Sequence, residues 1–279
     1  MINRYIKPLT QLAHNYSKAE EAIVAAFFHR RPSKQDHARW LRAQAFKEYS
    51  AIRPILATLV HLYSEIDRNI DRHSFEDLTE KLADETRHAC LVMELLEKVE
   101  GRCVTAEDLV WLPEDRKLAA IRARYSKSFA TLLHGSGSIR AKDIKRTDEA
   151  LERAAITLTE GGGGALYKVC RTLKNTRFEK AIARVFSRIF DDEVNHKEYG
   201  ERSLTAAVRT KEQFCRTAHI IAEISLQRLR MRNEQFGFPV ADETIRVYDR
   251  EIRQVSSAFP EVRSVQGNGN KMHDRRLSK

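Results

Sequence analysis

The sequence predicts an all-helical fold. Three observations carry that expectation. Glycine (11) and proline (6) are sparse in a chain of 279 residues, so turn formers punctuate little of it. Long segments repeat apolar residues at helical rather than alternating spacing. Their boundaries carry helix caps and helix stops. With 42% hydrophobic residues the chain can bury a core, and residues 1–259 are read as a single domain.

Taken in order, residues 1–34 predict one or two short helices ending at Arg30-Arg31-Pro32. A long helical region follows from about His37 to Asp71, with Leu41, Ala45, Ile52, Ile55, Leu59 and Leu62 on its apolar stripe and a kink or restart at Pro54. Ser74-Phe75-Glu76-Asp77 reads as the N-terminus of the next helix, which Gly101 ends. Residues 101–143 form a connector, with a helix from about Pro113 to Leu133 and a break at Gly135-Ser136-Gly137-Ser138. Helices then follow over about Thr147–Lys174, Thr176–Thr210, 211–235 and 241–257, and residues 260–279 read as a disordered basic tail.

The net charge is +10. Such a surface can attract nucleic acid, an acidic carrier protein or an anionic metabolite. The basic residues are scattered, so a solvated surface is preferred and nucleic acid is not favoured. No signal core and no run of 18 apolar residues is present, so no membrane partner is expected. Cys90, Cys103, Cys170 and Cys215 show no metal or disulfide spacing, which suits a reducing cytoplasm.

The chemistry concentrates in a repeated pentapeptide. Asp-Glu-x-x-His occurs at Asp84–His88 and again at Asp192–His196. On a helix, residues three apart share a face, so each Glu-x-x-His aims a carboxylate and an imidazole at one point. With 10 histidines in the chain, roughly one Glu-x-x-His is expected by chance, but two copies preceded by Asp only about once in a thousand.

Each motif needs a second glutamate. Thr176-Arg177-Phe178-Glu179 is a capping box, so the turn between the third and fourth core helices centres near residue 176. Glu160 and Glu193 lie nearly equidistant from it, and an antiparallel hairpin would set Glu160 against Glu193 and His196. Those two sit on a stripe with Ile182, Val185, Ile189 and Gly200. Buried there they need a partner, either a metal or a base such as Arg153. For Glu85 and His88 two candidates compete. Glu48 lies on the apolar stripe between Ala45 and Ile52, whereas Glu65 has polar neighbours but would suit a turn at Ser74. Stripe position favours Glu48.

Glu160 precedes Gly161-Gly162-Gly163-Gly164. Within a helix each glycine is worse than alanine by about 1 kcal/mol. Gly161 and Gly164 are therefore expected to leave space beside the site for a substrate, unless the run is a loop. Asp84 and Asp192 are expected to fix the ring of a ligand histidine on the opposite helix. Tyr167 and Tyr49 are either redox-active or core; Tyr167 is the candidate catalytic residue. His61 and His73 read as surface residues.

The order Glu, Glu-x-x-His, Glu, Glu-x-x-His over about residues 38–210 resembles the ferritin-like di-metal carboxylate superfamily. That resemblance implies a ferritin-like four-helix bundle with additional N- and C-terminal helices. It implies that Glu48, Glu85, His88, Glu160, Glu193 and His196 bind two Fe ions (or Mn/Fe). It further implies an oxygenase or oxidase that activates dioxygen, with an external electron donor, to oxidise a small-molecule or carrier-bound substrate. A homodimer is the expected assembly. The alternative is a non-catalytic ferritin-like protein of iron storage or stress protection; the extra helices, the long connector and the glycines favour the enzyme. No paired Cys-x-x-Cys is present, which sets the chain apart from classical rubrerythrins.

Overall fold

The structure is a computed structural model that describes residues 4–125, 155–156, 158–159 and 163–256, with 163, 193–203 and 206 described in their backbone alone. Every regular element among these residues is helical. The order is α1 Ile6–His29, α2 Lys34–Leu62, α3 Arg72–Glu100, α4 Pro113–Ala123, α5 Gly163–Cys170, α6 Arg177–Ala207, α7 Lys211–Gln235 and α8 Asp242–Val255. Ala155, Ile156, Leu158 and Thr159 are helical as well. The connector beyond Tyr125, the break at 135–138 and the tail at 260–279 lie outside the described residues.

Local chemistry explains where the boundaries depart from expectation. The N-terminal segment is one helix of 24 residues, because its only interior proline, Pro8, falls in the first turn. Helix α2 begins before His37, since Ser33 and Asp36 form a reciprocal capping box. Pro54 sits inside α2 without ending it, and the helix stops at Leu62 rather than Asp71. Helix α3 starts three residues earlier than Ser74 suggests, because the Asp71 carboxylate accepts the backbone N–H groups of His73 and Ser74. It ends at Gly101, whose φ of +76° is the left-handed cap expected of glycine. The third core helix stops at Cys170, not Lys174, and α6 is capped by Thr176 accepting from Glu179 N–H.

The turn between α2 and α3 sets the register of the site. The Glu65 carbonyl accepts from the N–H groups of Arg68, Asn69 and Ile70. Asp67 takes a left-handed backbone (φ +60°), and Arg72 grips its carboxylate with two nitrogens at 3.0 and 2.8 Å. The hairpin therefore folds about Ile66 and Asp67, and Glu48 and Glu85 fall almost equally far from that point.

Among the described residues, two apolar clusters form the interior. One joins Leu9, Leu12 and Tyr16 of α1 to Ile221, Ile224 and Leu229 of α7, with Leu118 and Ile245. The other joins Trp40 and Leu41 of α2, Val92 and Leu95 of α3, Leu166 and Tyr167 of α5, and Ile182 and Phe186 of α6. Burying one such side chain stabilises the fold by about 1.5–3 kcal/mol. Helix α7 is deeply packed: 15 of its 25 residues are buried, from Phe214 to Gln235.

Polar residues of α7 lie where the two clusters meet. Glu20 of α1 is 2% exposed and receives Arg228 Nε at 3.1 Å and Arg232 Nε at 2.7 Å. Burial by itself would raise the Glu20 carboxyl, but the two guanidinium groups hold it below the usual carboxylate range. Lys47 nearby is pushed down to about 8 by burial and by Arg228 and Arg232, against the pull of Asp115 at 3.4 Å.

Candidate metal centre

Glu48 comes from α2, and Glu85 and His88 from α3. One carboxylate oxygen of each glutamate and one ring nitrogen of His88 all lie within 4.8 Å of one another. Helical spacing puts Glu85 and His88 on one face, and the turn at Asp67 brings Glu48 to meet them. Glu48 is 5% exposed and His88 fully buried. Two carboxylates and an imidazole at this spacing form a donor set that suits Fe(II) or Mn(II). Glu65 is elsewhere: it is a residue of the turn, and its carboxylate accepts from Asn69.

The second motif reaches into the first. Asp192 of α6 places Oδ2 3.1 Å from His88 Nε2. A carboxylate accepts, so Nε2 is the donor here, and the neutral ring would offer Nδ1 to a metal. Arg87 donates to Asp84 and has Nη1 3.6 Å from Asp192, so one guanidinium spans the aspartates of both motifs. Asp192→Asn should weaken metal binding about 10–100-fold with little change in the fold, as loss of an outer carboxylate does elsewhere. Isothermal titration with Mn(II) checks this, and unchanged affinity would remove Asp192 from the site.

Glu48 is held by neutral donors. Gln44 Nε2 lies 2.5 Å and the Tyr167 hydroxyl 3.3 Å from its Oε1. Tyr167 is buried and stacks on Phe186, with ring centroids 5.7 Å apart. Tyr49 is exposed and belongs to neither the core nor the cluster. His61 and His73 are exposed.

Glu160, Gly161 and Arg153 lie outside the described residues, as do the side chains of Glu193 and His196. Gly164 is described. A Cβ there would sit 3.7 Å from Phe190 Cε2, an ordinary contact, so the space at Gly164 is bounded by an aromatic ring. Of the residues around Glu48, the sequence reading missed Gln44. Its signal was present, one helical turn before Glu48 and beside Leu41 and Ala45 on the buried stripe. No described helix is long and apolar enough to cross a membrane. Compared with known proteins, the chain matches no family model, no curated protein and no solved structure.

Proposed function

We propose that this protein is a non-haem di-iron (or Mn/Fe) oxygenase or oxidase of ferritin-like architecture. The observation that carries the reading is the convergence of Glu48, Glu85 and His88, with Asp192 of the second motif on the His88 ring. In this reading Glu160, Glu193 and His196 complete the site. The register of the second hairpin supports them. Tyr167 stacks on Phe186, and Gly164 faces Phe190. In an antiparallel pair, paired residue numbers keep a near-constant sum, and these contacts give the sum that Glu160 and Glu193 share.

When bound, two ferrous ions would supply the electrons that dioxygen needs to oxidise a C–H or N–H bond. The chain's own residues do the rest. Asp192 fixes the His88 ring and its tautomer. Gln44 and Tyr167 hold one oxygen of Glu48. Val92, Leu95 and Ile189 belong to the apolar cluster that surrounds this end of the helices and keeps bulk water from the ligands. Tyr167, hydrogen-bonded to a ligand, is the candidate for a redox role. Substrate room is assigned to the side of Gly161, the substrate being a small organic or carrier-bound molecule and the electron donor external.

The test is to load the protein anaerobically with Fe(II) and mix it with dioxygen. Oxygen uptake in proportion to about two irons per chain, with the oxidised iron returned to Fe(II) by a reductant, is expected. An inert Fe(II) complex would contradict the oxygenase reading, and assembly into an iron-filled cage would establish storage instead.

A further inference from the structure

We infer that Gln44 is a positioning residue for the metal ligand Glu48, and that Arg232 of α7 locks it in place. The inference rests on the reading of Glu48 as a ligand. An amide side chain can present either its oxygen or its nitrogen to a neighbour. Here the choice is forced. Gln44 Oε1 accepts from Arg232 Nη1 at 3.2 Å and from Gln235 Nε2 at 3.0 Å. Both neighbours are donors, so the amide nitrogen must face the other way, and it donates to Glu48 Oε1 at 2.5 Å.

Arg232 is itself fixed. It is 1% exposed, its Nε is bound by Glu20 of α1, and its Nη1 also donates to Gln235 Oε1. The chain Glu20–Arg232–Gln44–Glu48 therefore links α1 and α7 to the ligand helix α2 through buried hydrogen bonds. Gln44 and Tyr167 engage the same carboxylate oxygen. Together they fix one oxygen of the carboxylate that would serve a bound metal. Helix α7, which lies outside the Glu-x-x-His pattern, thereby acquires a part in shaping the site.

The experiment uses the full chain and Co(II) alone as the probe, read by affinity and by visible ligand-field absorption. Gln44→Met keeps the shape and leaves Arg232 paired with Gln235 and Glu20. It should weaken Co(II) binding about 10–100-fold and shift the absorption bands, while the metal-free melting temperature stays near that of wild type. Arg232→Met should change the spectrum in the same sense, which keeps the test open if Gln44→Met folds poorly. Gln227→Leu is the control: this glutamine of α7 serves Glu114 rather than Gln44, and its loss should leave the Co(II) spectrum unchanged. Wild-type affinity and an unchanged spectrum in Gln44→Met and Arg232→Met would overturn the positioning role while leaving the metal centre standing. Absence of Co(II) binding by the wild type would overturn both.

Discussion

Glu48→Ala should abolish tight metal binding, while Glu65→Ala should leave it at the wild-type level. Both glutamates precede α3, but Glu48 is buried on α2 whereas Glu65 lies in the turn itself. Glu48 meets Glu85 and His88 within 4.8 Å. Glu65 caps the turn with its own carbonyl and gives its carboxylate to Asn69. Removing one of so few donors should exceed the effect of removing an outer partner, so a loss of more than about 100-fold is expected. Glu48→Ala also takes their shared acceptor from the buried Gln44 amide and Tyr167 hydroxyl, so folding of the metal-free variant is followed alongside by circular dichroism. Equilibrium dialysis against Mn(II) ranks the pair, and the reverse ranking would place the hairpin turn wrongly.

The largest expected effect on stability comes from a residue that touches no metal. Glu20→Ala leaves Arg228 and Arg232 buried at 7% and 1% exposure without their common carboxylate. Breaking a buried pair from one side typically destabilises by about 3–5 kcal/mol. The pH dependence has a definite sign. The Glu20 carboxyl titrates lower in the folded than in the unfolded chain. Its contribution is therefore complete above the unfolded value, near 4.3, and is lost as the pH falls through the folded one. Chemical denaturation of wild type and Glu20→Ala at neutral pH should differ by the full amount, and the gap should narrow in acid. A difference under about 1 kcal/mol, the scale of a surface ion pair, would show that the guanidinium groups find other partners or water.

Much of this arrangement was legible in the sequence, and the parts that were not have physical reasons. The helices and the Glu-x-x-His faces follow from local periodicity. The choice of Glu48 followed from its place on an apolar stripe, a property of one helix. The cap at Asp71 was missed because Ser74 offers an equally good local signal; which one the chain uses depends on how Asp67 and Arg72 close the turn. The buried course of α7 was not legible. Its inner face carries Arg228, Arg232 and Gln235, polar residues whose burial depends on Glu20 and Gln44, some 190–210 positions earlier in the chain, as their partners. The pairing of Asp192 with His88 was expected from the motif, since an outer carboxylate on the opposite helix is what a ligand imidazole needs.

The central claim is that Glu48, Glu85 and His88 hold a metal. Its most direct measurement is the iron bound at equilibrium by the wild-type chain and by His88→Ala, with folding followed in the same samples by circular dichroism. The account predicts about two irons per wild-type chain, and a steep loss of iron in a His88→Ala protein that remains helical. A folded wild-type protein with no affinity for iron, or a His88→Ala protein that binds it equally well, would contradict it.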